Sequence, residues 1–199
     1  MAARLPAAAR RRQLLDIALA EFAEQGFSGV SMDRVAEAAG VTKPVLYQHF
    51  RSKRALYLEL VDDVADRLES AVVKATADVD SPREQVEAGF RVYFRFVTEH
   101  RDAYRLLFSA DTRRDGELTE AVLRVEETFA HAIAGLIDVE GLSDDDRLLL
   151  ARGIVGIAEV TSRQSLAGSS PDPDAVAHRV ATLAWAGLRG VRASPEPPA

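Results

Sequence analysis

Apolar residues recur three and four positions apart along nearly the whole chain, and no segment shows the strict alternation of a half-buried strand. The pattern predicts an all-α protein. Leu15, Ala18, Leu19 and Phe22 form an i, i+3, i+4, i+7 stripe, which predicts a first helix over about 10–25. Gly26 ends it, and Phe27 and Val30 plug the core beyond. Met32, Val35, Ala36 and Ala39 mark a second helix behind the N-cap Ser31, and Gly40 supplies the left-handed residue that stops it. Thr42 is the next N-cap, Pro44 sits in the first turn, where its missing N–H costs little, and Leu46 and Phe50 turn this third helix inward. Leu56, Leu60, Val64 and Leu68 then repeat every four residues and predict a helix over about 52–77. At about 1.5 Å per residue it is roughly 37 Å long, enough to join two domains.

The second half continues in the same period. Ser81-Pro82-Arg83-Glu84 reads as a capping box opening a helix to about 100, with Val86, Phe90, Tyr93, Phe94 and Val97 on its apolar face. A short helix over 102–109 carries Tyr104, Leu107 and Phe108. The polar segment around Gly116 reads as a loop, followed by a helix over about 118–137 with Val122, Val125, Phe129, Ile133 and Leu136 in register. Ser143 caps a helix to about 167, with three aspartates in its first turn where the helix dipole favours them. Asp172-Pro173 opens a last helix to about 191, with Val176, Val180, Leu183, Ala184, Gly187 and Leu188 as its apolar positions. Small residues on these two late helices, Gly153 and Gly156 among them, permit close approach, and the pair reads as a surface that docks on a second copy, with an intramolecular core as the alternative. Residues 1–9 and the tail 193–199 read as mobile and disordered.

Within this frame, residues 31–53 form a helix, a tight turn and a second helix. The outer face of that second helix holds Lys43, Val45, Tyr47, Gln48 and His49, donors, acceptors and aromatic groups on short or rigid stems, with Lys53 and Arg54 following. A plain helical hairpin would carry ordinary solvated charges there. The arrangement points to a DNA-reading helix-turn-helix. Lys43 and Gln48 are suited to guanine or adenine edges and Val45 to a thymine methyl. The arginines 10–12 of a basic arm over 1–12 could reach phosphates or a minor groove, or simply start a solvated helix.

The segment G-V-T-K-P-V-L-Y-Q-H-F-R-S-K-R-A-L at 40–56 resembles the recognition segment of TetR-family transcriptional regulators, and A-x-x-x-F-A-E-Q-G-F-S-G-V-S-M-D-R-V-A at 18–36 resembles their N-terminal pattern. The resemblance implies a homodimer with an N-terminal three-helix DNA-binding domain over 1–57, joined by a long helix to a helical ligand-binding and dimerisation domain over 58–192. It implies that Thr42, Tyr47, His49 and Lys53 grip phosphates, so that the DNA site comprises Ser31, Thr42, Lys43, Pro44, Val45, Tyr47, Gln48, His49 and Lys53. A dimer would then read an inverted-repeat operator in double-stranded DNA. The run K-P-V-L-Y-Q-H-F, with Y-R-L-L-F at 104–108 and A-W-A-G-L at 184–188, is similar to actinobacterial regulators of fatty-acid synthesis that respond to long-chain acyl-CoA. A hydrophobic small-molecule effector is therefore expected, held by Phe90, Tyr93, Phe94, Leu107, Phe108, Phe129, Ile133, Ile157 and Trp185. The same aromatic stripe is also what an ordinary core looks like. Glu159 and Arg163 are either the polar end of such a cavity or a surface ion pair.

Charge and composition agree. The net charge of −6 is uneven: residues 1–57 hold 9 Lys/Arg against 5 Asp/Glu, and the remainder 16 against 26. A basic end on an acidic body fits a protein that touches polyanion at one end. The 47% hydrophobic content is ordinary for a globular chain, and the absence of cysteine removes disulfides and thiolate metal sites. Without an apolar signal core or a membrane-length run, the chain reads as cytoplasmic with no membrane partner. No cofactor is called for. Catalytic readings fare poorly: Glu127 and His131 stand four apart without a second pair, and no phosphate loop, nucleophile elbow or zinc-protease motif occurs. The expected function is a ligand-responsive regulator, a repressor whose effector alters DNA affinity. The alternatives are a DNA-binding regulator controlled by a protein partner and, least favoured, a helical enzyme or interaction module.

Overall fold

The computed structural model describes residues 6–108, 114–167 and 172–191, which form nine helices and no strand. They are α1 (Ala7–Gly29), α2 (Met32–Ala38), α3 (Lys43–His49), α4 (Lys53–Thr76), α5 (Pro82–Glu99), α6 (Arg101–Phe108), α7 (Gly116–Ala134), α8 (Asp144–Ala167) and α9 (Pro173–Gly190). The all-α expectation holds. The first five residues of the arm, the stretch 109–113, the turn at 168–171 and the tail 193–199 lie outside the described residues.

Two compact units emerge, and they interleave along the chain. One comprises residues 1–65 and 100–122, the other 66–99 and 123–199. A single cut at 57/58 therefore does not follow the packing, because α6 and the start of α7 return to the N-terminal unit. Helices α4 and α7 each contribute residues to both units.

In the N-terminal unit, α1 packs against α2 and α6, and α2 against α3. Leu14, Ala18, Leu46, Leu56, Val61 and Val64 are fully buried in it. Each large aliphatic side chain so buried contributes about 1.5–3 kcal/mol. Tyr57 is as deeply buried: its ring meets Phe22 and Phe27 edge-on at 5.2 Å, and its hydroxyl donates to Leu106 O at 2.6 Å. That bond ties α6 to α4 and satisfies a phenol that would otherwise be stranded in the core. Gly26 (φ 72°, ψ 169°) interrupts α1 where the pattern ended the first helix. The helix begins at Ala7, so the described part of the basic arm, Ala7–Arg12, is helical rather than mobile.

In the other unit α5 lies along α9, with further contacts from α8 to both. Phe90 and Phe94 form the core with Ala158, Val176, Ala177, Val180, Ala181 and Ala184, flanked by Val86, Tyr93, Ile154 and Ile157. A second cluster gathers Ala130, Ile137 and Ala151, with Ile133, Leu148 and Leu188 against it. Local signals set the ends. Ser143 Oγ accepts from Asp146 N at 3.1 Å, Asp172 from Asp174 N at 3.2 Å, and Ser81 Oγ from Glu84 N at 3.4 Å. Two boundaries differ from the pattern. Gly116 opens α7 instead of lying in a loop, because Asp115 caps that helix: its carboxylate accepts from Leu118 N at 3.3 Å and its carbonyl from Thr119 N at 2.9 Å. At the other end α7 stops at Ala134, where bonds from Leu136 N to Ile133 O and Ile137 N to Ala134 O tighten the chain into turns. Leu136, expected in the helical register, is consequently 57% exposed.

Candidate nucleic-acid interface

The turn between α2 and α3 is built by backbone hydrogen bonds. Gly40 takes φ 61°, Val41 N donates to Ala36 O at 2.9 Å and Gly40 N to Glu37 O at 3.0 Å. These are the paired bonds of a Schellman motif, which satisfies carbonyls that the end of α2 leaves open. Ser31 Oγ accepts from Arg34 N at 3.1 Å and caps the start of α2. Helix α3 starts differently. Thr42 O accepts from Val45 N and Leu46 N, but the Thr42 hydroxyl makes no capping bond and stays exposed. Leu46 and Phe50, at 0% and 2% exposure, fix α3 to the core. Their burial turns the opposite face outward: Thr42, Lys43, Pro44, Tyr47 and Gln48 are exposed, and Val45 and His49 half-buried. The face expected from the sequence is therefore assembled on one short helix held by two apolar anchors.

The cations around this face are mostly engaged. Lys43 Nζ lies 2.8 Å from an Asp33 oxygen, and Arg34 Nε lies 2.6 Å from Glu21 Oε2. These hydrogen-bonded carboxylates raise the pKa of both cations, which therefore stay charged. Arg54 donates two hydrogen bonds to Asp115, at 2.8 Å and 2.7 Å, and reaches Glu117 at 3.1 Å. Arg11 pairs with Glu59, its guanidinium 4.6 Å from the centre of the Phe50 ring, and Arg12 pairs with Asp63. These two arginines thus fasten α1 to α4. Lys53 departs most from expectation. Its ammonium donates to Phe27 O at 2.8 Å and Val30 O at 2.9 Å and sits 4.4 Å from the centre of the Phe27 ring. An ammonium has three donors, and two serve carbonyls freed where α1 breaks. Arg51, which the sequence reading passed over, is exposed in the turn after α3 and makes no ion pair among the described residues. Its only sequence signal is its position directly after the recognition helix.

The expected effector residues are divided between the two units. Leu107 and Phe108 belong to the N-terminal unit, where Leu107 is buried and Phe108 packs on Tyr104 with ring centres 4.6 Å apart. Phe90, Tyr93, Phe94, Phe129, Ile133, Ile157 and Trp185 belong to the other unit. Phe90 and Phe94 are core there, with Tyr93 and Ile157 packed against them and Ile133 on the second cluster. Phe129 and Trp185 are half-buried. Glu159 and Arg163 form a direct pair at 2.6 Å.

An all-helical chain that displays a polar recognition helix behind a glycine turn is a helix-turn-helix transcriptional regulator. The chain belongs to the TetR family: residues 14–60 match the family described as bacterial regulatory proteins, tetR family, and residues 82–187 match the tetracyclin repressor-like C-terminal domain. It is 34% identical over 190 residues to the HTH-type transcriptional activator FasR of Mycolicibacterium smegmatis, an alignment covering 94% of this chain and 87% of the relative. It is 29% identical over 113 residues to the transcriptional repressor KstR2 of the same organism, covering 57% of this chain and 55% of KstR2. A TetR-like transcriptional regulator from Rhodococcus sp. RHA1 superposes with a TM-score of 0.78 at 31% identity, over 94% of this chain and all of that one.

Proposed function

We propose that the protein binds an inverted-repeat operator in double-stranded DNA as a homodimer, and that a hydrophobic effector of the fatty acyl-CoA class changes its DNA affinity. The observation that carries the reading is the face of α3, turned outward by buried Leu46 and Phe50. In this reading Lys43, Val45 and Gln48 address base edges. Thr42, Tyr47 and His49 hold phosphates, with Ser31, Pro44 and Arg51 beside them. Lys53 keeps at most one donor for DNA.

Exposure along α8 and α9 supports the dimer. Leu149 and Val160 are exposed at 64% and 52%, and Leu183, on the apolar face expected to dock on a second copy, at 62%. Leu149, Gly153, Gly156 and Val160 share one face of α8, and Leu183, Gly187 and Gly190 one face of α9. A Cβ added at any of these four glycines would meet nothing within 4 Å, so no close approach within this chain needs them. A glycine inside a helix costs about 1 kcal/mol relative to alanine. A second copy's helices packing at these stripes would offset that cost and cover the leucines.

The effector site is drawn from the C-terminal unit alone, with Phe90 and Phe94 as its floor and Tyr93, Phe129, Ile133, Ile157 and Trp185 around it. The acyl-CoA class rests on the sequence resemblance at 43–50, 104–108 and 184–188. Arg91 and Arg95, basic residues on the helix that carries Phe90, Tyr93 and Phe94, already pair with Glu87 and Asp174. The acyl chain rather than the CoA phosphates should therefore supply recognition. The test is fluorescence anisotropy on an operator duplex with palmitoyl-CoA, palmitate or CoA added. Both acyl compounds should shift the affinity and CoA alone should not; indifference to all three would remove the effector and leave the regulator.

The proposed sign is repression in the cytoplasm. Activation is the second reading, favoured by the name of the Mycolicibacterium relative. A reporter behind the operator-bearing promoter rises on deletion of a repressor and falls on deletion of an activator.

A further inference from the structure

We propose that Asp33 is a specificity-determining residue of the DNA-reading unit, an internal competitor for the Lys43 ammonium that suppresses binding to DNA of the wrong sequence. The proposal rests on the DNA-reading function of α2 and α3 given above. Lys43 opens α3, Asp33 lies in the first turn of α2, and Lys43 Nζ is 2.8 Å and 3.0 Å from the two carboxylate oxygens. The two side chains are 52% and 65% exposed. Pairs this exposed add little to stability. A carboxylate near a helix N-terminus interacts favourably with the dipole, which explains an acid at Asp33 but not its reach across to α3.

The surrounding charge points the same way. The compact N-terminal unit, residues 1–65 and 100–122, holds 13 Lys/Arg and 13 Asp/Glu and is formally neutral, although residues 1–57 alone are basic. Arg34 and Arg54 are held by Glu21 and Asp115 in the same manner. Affinity for DNA of any sequence comes from cations that release counterions from phosphates. An ammonium already neutralised by a carboxylate contributes little to that term, and Asp33 would also be carried toward the phosphates. On the operator, the ammonium exchanges the carboxylate for an acceptor at a fixed place in the major groove. On other DNA no such acceptor is in register, so the ammonium stays with Asp33 and adds little to binding.

The test uses the full chain, a duplex recovered with this protein from random DNA, and a scrambled duplex of the same composition. Affinities are read by anisotropy over a series of salt concentrations. Asp33→Asn should tighten binding to the scrambled duplex roughly two- to fivefold more than to the selected one, the scale of one unit charge near phosphates in water. It should also steepen the scrambled-duplex salt slope by up to about 0.9. Asp33→Ser carries the same expectation should the Asn variant melt below the assay temperature. Glu120→Gln, an equal change of net charge on α7, should leave the ratio unchanged. In a Lys43→Gln background the Asp33→Asn effect should vanish. An equal effect on both duplexes, no effect on either, or an effect that persists without Lys43 would each overturn the role of Asp33 while leaving the operator reading intact. Wild-type protein that binds both duplexes alike would overturn the operator reading and this one together.

Discussion

Asp115 accepts two hydrogen bonds from Arg54 and another from the backbone of α7, so one carboxylate joins the start of α4 to the start of α7. Arg54 is the main reason its pKa falls from an ordinary 3.8 to about 2. The folded protein thus binds this proton less readily than the unfolded chain does. The resulting stabilisation is fully present above the ordinary value near 4 and is lost as pH falls toward about 2. Asp115→Asn should melt at a lower temperature than the wild type at neutral pH, with the gap closing between pH 4 and pH 2 in a series of thermal melts. A gap that stayed constant to pH 2 would remove the carboxylate charge from the explanation. None of this was visible along the chain, where Asp115 is one acid in a polar stretch. Lys53 carries a second role that its position did not show. Its place after the recognition helix suggests phosphate, and its ammonium also donates to the open carbonyls of Phe27 and Val30.

At the scale of elements, capping chemistry was the most legible part of the sequence. Ser31, Ser81, Ser143 and Asp172 all cap where the pattern put them. The stop of α2 was equally legible. Gly40 is held at φ 61°, and a Cβ there would meet nothing within 4 Å. Gly40→Ala should therefore cost about 1–2 kcal/mol, all of it conformational. Urea denaturation would show this as a lower midpoint with an unchanged slope; a neutral substitution would mean that the turn tolerates another geometry. The boundaries that shifted, at Gly116 and Ala134, depend on a distant arginine and on turns that no helical period encodes. Tyr57 escaped notice for a related reason. The stripe of Leu56, Leu60, Val64 and Leu68 accounts for one side of α4, while Tyr57 and Val61 bury a second side under partners from outside it.

For the molecule as a whole, periodicity and one motif carried the fold class and the family, because both are local. The arrangement of the units was not local. The packing of α6 on α1 joins segments about ninety positions apart, and the N-terminal unit turns from basic to neutral mainly through Glu59, Asp62 and Asp63 on α4. The choice between docking surface and intramolecular core at Leu183 stayed open for the same reason, since one period serves both a core and a surface awaiting a partner. The central claim is that this chain reads a two-fold symmetric DNA site through α3. Selection from random duplex DNA, followed by footprinting on the recovered sequence, tests it most directly. The account predicts an inverted repeat with two protected half-sites, lost together when Leu183→Glu breaks the dimer. Recovery of no common sequence, or of a single unsymmetrical site protected equally well by the Leu183→Glu protein, would contradict it.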